Sequence, residues 1–276
     1  MTEIKRIFTS TYNTALCSYN STFASAAYNY TIHIWDAPPR SLMGHSGWIT
    51  SLTNYNHTII STSYDKTIRL WSDVVHTYSE HTDIVECACI ANNTILSGAR
   101  NAVIHQTDIE TKETLRIYKH EEGIASLCMM TNDIFISGSD DQILRIWDVR
   151  SSTPIHTIKT NTDMISVASI CKMNSTQFVS ANGSVMLWDI RTFKPIQSHN
   201  EHTDYVKVVR KLDNDMIVSG GTDNKICVYN IDTNKVLKIH SHTDWVWDIL
   251  VLNPETFISA SYDKTIRKWK IKRSPI

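Results

Sequence analysis

No stretch of the 276-residue sequence approaches the roughly 20 consecutive apolar residues that a membrane helix needs, so a helical span is not expected. An excess of charge of one sign is also missing. With 27 Lys and Arg against 28 Asp and Glu, the formal net charge of −1 gives no global drive toward nucleic acid or a membrane surface. Glycine (8) and proline (6) are few, and no low-complexity stretch marks a linker, so one domain over residues 1–276 is expected. The start, Met1 to Arg6, is charged and no apolar h-region follows it, which predicts no secretory signal and a cytoplasmic or nuclear chain. In that setting the N-x-S/T sequons at Asn20, Asn29, Asn56, Asn92, Asn174 and Asn182 are not expected to carry glycans. The six cysteines form no C-x-x-C pair, and no disulfide framework is expected. Cys87 and Cys89, two apart in a predicted strand, are read as small buried apolar residues.

What the sequence does contain is a repeat. Seven similar segments close at Trp35, Trp71, Thr107, Trp147, Trp188, Tyr229 and Trp269, spaced by 36, 36, 40, 41, 41 and 40 residues. A second mark precedes each by 26 or 27 residues: Thr9, His45, His81, His120, Asn161, His202 and His242. Between the marks run short β-branched and aromatic stretches separated by polar turns, as in Trp48 to Leu52, Thr58 to Ser61 and Thr67 to Trp71. Such runs read as strands. One segment cannot bury both faces of so small a sheet, so neighbours must stack.

Gly44-His45, Ser61, Asp65 and Trp71 stand in a spacing similar to the WD repeat, and seven such segments in register cover essentially the whole chain. The resemblance implies an all-β, seven-bladed β-propeller with four strands per blade. Counting strands leaves the seventh blade without its outer strand after Ile271. Glu3 to Phe8 has the position and composition to supply it and close the ring. Departures from the pattern are the missing tryptophan of blade three and a shorter turn between Ser180 and Trp188 in blade five.

Twelve histidines and repeated His-Thr-Asp triplets invite a catalytic reading. Recurrence at fixed offsets in several blades opposes it, because a catalytic site needs one converging constellation. The resemblance implies a structural network instead: His45, Ser61, Asp65 and Trp71; His120, Ser137, Asp141 and Trp147; His242, Ser259, Asp263 and Trp269; and His202, Ser219, Asp223 with Tyr229. No catalytic residue, metal site or cofactor is expected. One histidine per blade does not assemble three or four metal ligands.

Binding is expected on the face that three positions per blade look toward in WD repeats. The third residue after the histidine mark gives Tyr12, Trp48, Ile84, Gly123, Met164, Tyr205 and Trp245. The fifth gives Thr14, Thr50, Glu86, Ala125, Ser166, Lys207 and Trp247. The residue before the turn aspartate gives Tyr28, Tyr64, Arg100, Asp140, Ala181, Thr222 and Tyr262. Eight large aromatics (Tyr205, Trp245, Trp247, Tyr262, Tyr12, Tyr28, Trp48 and Tyr64) fall in blades six, seven, one and two, adjacent once the ring closes. Aromatics are the usual anchors of interfaces, so a protein scaffold or adaptor binding a protein or peptide here is expected. The alternative, a substrate receptor of a ubiquitin ligase reading phosphopeptides, is disfavoured because only Arg100 and Lys207 at these positions could pair with phosphate. A basic group, Lys264, Arg267, Lys268, Lys270, Lys272 and Arg273 with Lys5 and Arg6, is read as a solvated edge rather than a nucleic-acid site.

Overall fold

Every four-stranded antiparallel sheet in the computed structural model, which describes residues 1–160 and 166–271, is one blade of a seven-bladed ring. Blade two shows the plan: innermost strand Ile49–Tyr55, then Thr58–Ser63, Ile68–Trp71 and outermost Val75–Tyr78. Among the described residues no helix is long and apolar enough to cross a membrane.

Closure follows the strand count. Thr2–Phe8 pairs antiparallel with Thr265–Lys270, from Thr2 opposite Lys270 to Phe8 opposite Thr265. Beneath this seam Leu16 of blade one packs with Ile258, Ala260 and Ile266 of blade seven. Elsewhere the core is likewise built between blades: Val208 and Val218 of blade six meet Val246, Ile249, Phe257 and Trp269 of blade seven. The approach is close enough to demand glycine in places. A Cβ on Gly98, Gly138 or Gly220 would stand 2.4 to 2.8 Å from atoms of Ile124, Ser126, Val167 or Val246.

Polar side chains recur within this apolar frame. In blade two the Trp71 indole N–H donates to Ser61 Oγ at 2.8 Å, and His45 Nε2 meets the same oxygen at 2.7 Å. His45 Nδ1 reaches Asp65 Oδ2 at 2.7 Å. The same links tie Trp147, Ser137, His120 and Asp141, and Trp269, Ser259, His242 and Asp263. In blade six Ser219 donates to the Tyr229 phenol oxygen at 3.2 Å. Its oxygen is then free to accept from His202 Nε2 while Nδ1–H serves Asp223, a pattern suited to a charged imidazole. Burial opposes that charge most, but the hydrogen bond to Asp223, the contacts with Cys227 and the Asp223 charge together outweigh it, and His202 is raised to about 9. His120 and His242 move the other way, lowered first by burial and also by Arg145 and Arg267, cations that blade six replaces with Cys227.

Two sequence readings need correction here. Arg267 is no surface cation: it is 8% exposed and donates to Asp263 Oδ2 at 2.9 Å, because its stem crosses the blade toward the network. Lys272 and Arg273 lie outside the described residues. Of the cysteines, Cys17, Cys87 and Cys227 are buried, but Cys89 is only half-buried because it lines the central channel, as Cys128 and Cys171 do.

Blade three departs furthest. With no tryptophan and no turn aspartate, His81 keeps only Ser97, and its ring stacks on His105 at 4.2 Å and 17°. Neither Nδ1 has a hydrogen-bond partner among the described residues. Burial holds His81 down to about 3 and lowers His105. The unfolded chain therefore takes up protons that these rings refuse, so their stability is present above about pH 6.5 and is lost as pH falls below it. We expect His81 alone to cost roughly 2 kcal/mol between pH 7 and pH 5. Thermal melts at the two pH values check this: the acid-dependent loss should shrink in His81→Leu, and an equal loss in that variant would refute it.

Candidate functional site

A recurring bulge builds the face. In six blades the innermost strand slips register between its first and third paired residues, as between Ile49 and Ser51. The skipped residues are Thr14, Thr50, Glu86, Ala125, Lys207 and Trp247, the fifth position after each mark. A bulge re-aims its side chain, and here each lines the channel mouth. A second constraint brings the other two positions together. The N–H of Tyr28, Tyr64, Arg100, Asp140, Thr222 and Tyr262 donates to the carbonyl of Tyr12, Trp48, Ile84, Gly123, Tyr205 and Trp245 in turn.

Blade five breaks the numbering. Ala181 pairs with Ser169 as Gly220 pairs with Val208, so it is a buried strand residue and not a face position. Counted from that register, Ser166 takes the third position and Ala168 the fifth. The turn at Asn182–Ser184 is two residues shorter and the loop before the innermost strand two longer, a compensation that equal mark-to-mark spacing hides. Met164, assigned to the third position, lies outside the described residues, as does Asn161.

The eight aromatics form an arc. Tyr64 lies 4.8 Å from Trp48, Trp48 4.3 Å from Tyr28, and Tyr28 5.5 Å edge-on to Tyr12. Tyr12 stacks on Tyr262 at 4.5 Å across the closure seam, and Tyr262 meets Trp247 at 5.0 Å and Trp245 at 5.5 Å. Tyr205 joins through Lys207, whose ammonium lies 5.6 Å from its ring and 4.6 Å from Trp247. None of the eight is fully buried, and Trp245 is 42% exposed. Burial pushes the Tyr205 phenol up to about 12 and raises Tyr64 and Tyr262, so these rings are neutral near pH 7.

Arg100 ends the arc on the blade-three side, a role that counting aromatics does not show. It donates to Glu86 Oε1 at 2.6 Å and to the Tyr64 phenol at 2.8 Å, and lies 5.0 Å from that ring. Glu86 therefore supports the arc. The arc borders a central cavity of about 1020 Å³ that reaches Arg210 and Asp248. There Asp248 accepts from Arg210 at 2.8 Å and from the Leu16 N–H at 2.8 Å, linking blades six, seven and one. No group of three or more His, Cys, Asp or Glu among the described residues is placed to hold a metal.

The model of the family described as WD domain, G-beta repeat matches residues 37–72, 112–148, 193–230 and 233–270, more than half of the chain. The chain belongs to the WD-repeat family. These matches end at the four blades that hold a complete His–Ser–Asp set; the unmatched blades lack the histidine, the tryptophan or the regular turn. Cell division control protein 4 of Saccharomyces cerevisiae is 25% identical over 204 residues, 64% of this chain and 26% of that protein. A WD repeat-containing protein 55 homolog of Aedes aegypti is 36% identical over 72 residues, covering 25% and 15%. Human DDB1- and CUL4-associated factor 5 is 36% identical over 58 residues, covering 20% and 6%. The chain thus spans about a quarter or less of the length of these relatives.

Proposed function

We propose that this propeller is a non-catalytic interaction platform that docks a protein or peptide on the aromatic arc of blades six, seven, one and two. One observation carries the reading: partly exposed rings touch one another across blades seven, one and two, and Lys207 joins Tyr205 of blade six to them, while the equivalent positions of blades three and four include Ile84, Gly123 and Ala125. Since other blades fold without rings there, the framework does not require them. Large rings contribute contact area at little rotamer cost. A second reading, substrate receptor of a ubiquitin ligase, draws on the likeness to a protein named for association with DDB1 and CUL4. Phosphate recognition by clustered arginines fits it poorly, since Arg100 is already engaged by Glu86 and Tyr64.

Trp247, touching Trp245, Tyr262 and Lys207, is the expected anchor. Trp247→Ala should weaken a partner by about 2 kcal/mol, roughly thirtyfold. Ser166→Ala, which keeps the backbone carbonyl that accepts from the Tyr205 phenol at 3.2 Å, should leave affinity unchanged and serves as the control. Equal binding of the two variants in a titration would remove the arc as the site.

A further inference from the structure

The face carries a charge division that the arc does not explain. On the arc side the unpaired positive groups lie over rings: Lys207 over Trp247 at 4.6 Å and Lys264 over Tyr12 at 5.4 Å. Asp204 and Asp244, in the entry loops of these blades, accept from the N–H groups of Tyr205 and Trp245, and Lys207 feels the charge of Glu86 and Asp140 without forming an ion pair with either. Across the mouth, blade four presents Glu121 and Glu122, both exposed, in the loop entering its innermost strand. Asp140, half-buried, lines the cavity beside them. None of these three carboxylates accepts a hydrogen bond or meets a cation among the described residues. Lys119 and Lys159, exposed cations of blades three and four, end outermost strands at the perimeter, and Arg100, beside Gly123, is engaged by Glu86.

The route to Asp140 is open. Gly123 and Ala125 stand where other blades place Trp48, Trp245, Lys207 or Trp247. A Cβ on Gly123 would already lie 3.0 Å from Asp140 Oδ2, so any larger residue would crowd that carboxylate. The mouth therefore offers an aromatic arc on one side and, on the other, three carboxylates without a hydrogen-bond or ion-pair partner among the described residues, Asp140 alone being within electrostatic reach of Lys207. A ligand that satisfies both has two parts.

We infer that the segment docking here is an extended peptide with a bulky apolar side chain for the arc and a lysine or arginine placed to meet Glu121, Glu122 and Asp140. This rests on the docking reading above and adds the partner's charge and polarity. Unpaired acids at the mouth attract a partner's cations and repel phosphates, so the chemistry favours a basic peptide over a nucleic acid or phosphopeptide.

The test pans a random phage-displayed peptide library on the intact propeller and then titrates the most enriched peptide, fluorescently labelled. Selected sequences should combine a Trp, Phe or Leu with Lys or Arg. Changing Glu121→Gln, Glu122→Gln and Asp140→Asn together should weaken that peptide about tenfold and flatten its salt dependence. Melting temperature checks that the triple variant is folded. Selected peptides without basic residues, or unchanged binding by the triple variant, would overturn the inference. In that event a retained loss in Trp247→Ala leaves the arc as the docking site. If the acids matter and Trp247→Ala does not, the docking reading fails instead. A library that yields no binder overturns both.

Discussion

Deleting residues 1–8 should lower the melting temperature by about 10 °C or more, the largest single effect expected in this molecule. The side chains of the closing strand explain little of it: Ile4 is 50% exposed and Phe8 75%. What the strand supplies is pairing, six residues of it against Thr265–Lys270. A net hydrogen bond contributes roughly 0.5–1.5 kcal/mol, so the ladder amounts to several kcal/mol. Glu3 goes with it; this residue holds Arg6 at 2.7 Å and approaches Arg267 at 3.5 Å. Thr9, whose N–H and hydroxyl donate to the Lys264 carbonyl, would become the chain end, so this tie between blades one and seven would rest on a residue no longer held by a strand. An open edge at Thr265–Lys270 would then invite pairing with other molecules, with Lys268 and Lys270 as the remaining deterrent. Differential scanning calorimetry of the truncated chain decides the matter. An unchanged melting temperature would mean that the ring does not depend on its closing strand.

Trp71→Ala should cost about 3–5 kcal/mol, and His45→Ala about 1–3 kcal/mol. Trp71 packs with Ile34, Ile49, Leu52 and Ile59 between blades one and two, so its removal opens a cavity where both blades meet. It also removes the donor that Ser61 accepts. His45→Ala removes a smaller ring than Trp71→Ala does, but it takes a partner from Ser61 and from Asp65, whose carboxyl is held well below the usual range, against the cost of burial, by hydrogen bonds from His45 and Thr67. Chemical denaturation of the two variants measures both values. If His45→Ala melted like the parent chain, the network would not be structural.

Much of this was legible in the sequence because repetition samples the same physics seven times. The marks at His45, Ser61, Asp65 and Trp71 recur wherever an indole needs an acceptor, and the strand count alone assigns Glu3 to Phe8 to blade seven. What escaped was whatever differs between blades at constant length. Blade five moves two residues from its turn to its entry loop, so counting from Trp188 lands on Ala181 inside a strand. Arg267 sits amid Lys264, Lys268 and Lys270, and nothing local distinguishes the one cation that turns inward to Asp263. His105 stacks on His81 only because blade three lacks the groups that occupy that space elsewhere. Composition placed the eight rings in four adjacent blades, but their mutual contacts depend on the bulge and on the carbonyl pairing of turn to entry loop. The sequence alone signals neither.

Measuring melting temperature together with affinity per folded molecule, for His45→Ala and Trp247→Ala against one peptide selected on the parent propeller, separates frame from face most directly. The expected result is a crossed pattern. His45→Ala should melt earlier and bind as before, whereas Trp247→Ala should melt as before and bind roughly thirtyfold more weakly. The reverse pattern, with binding lost at His45 and retained at Trp247, would place function in the repeated polar set and contradict the account.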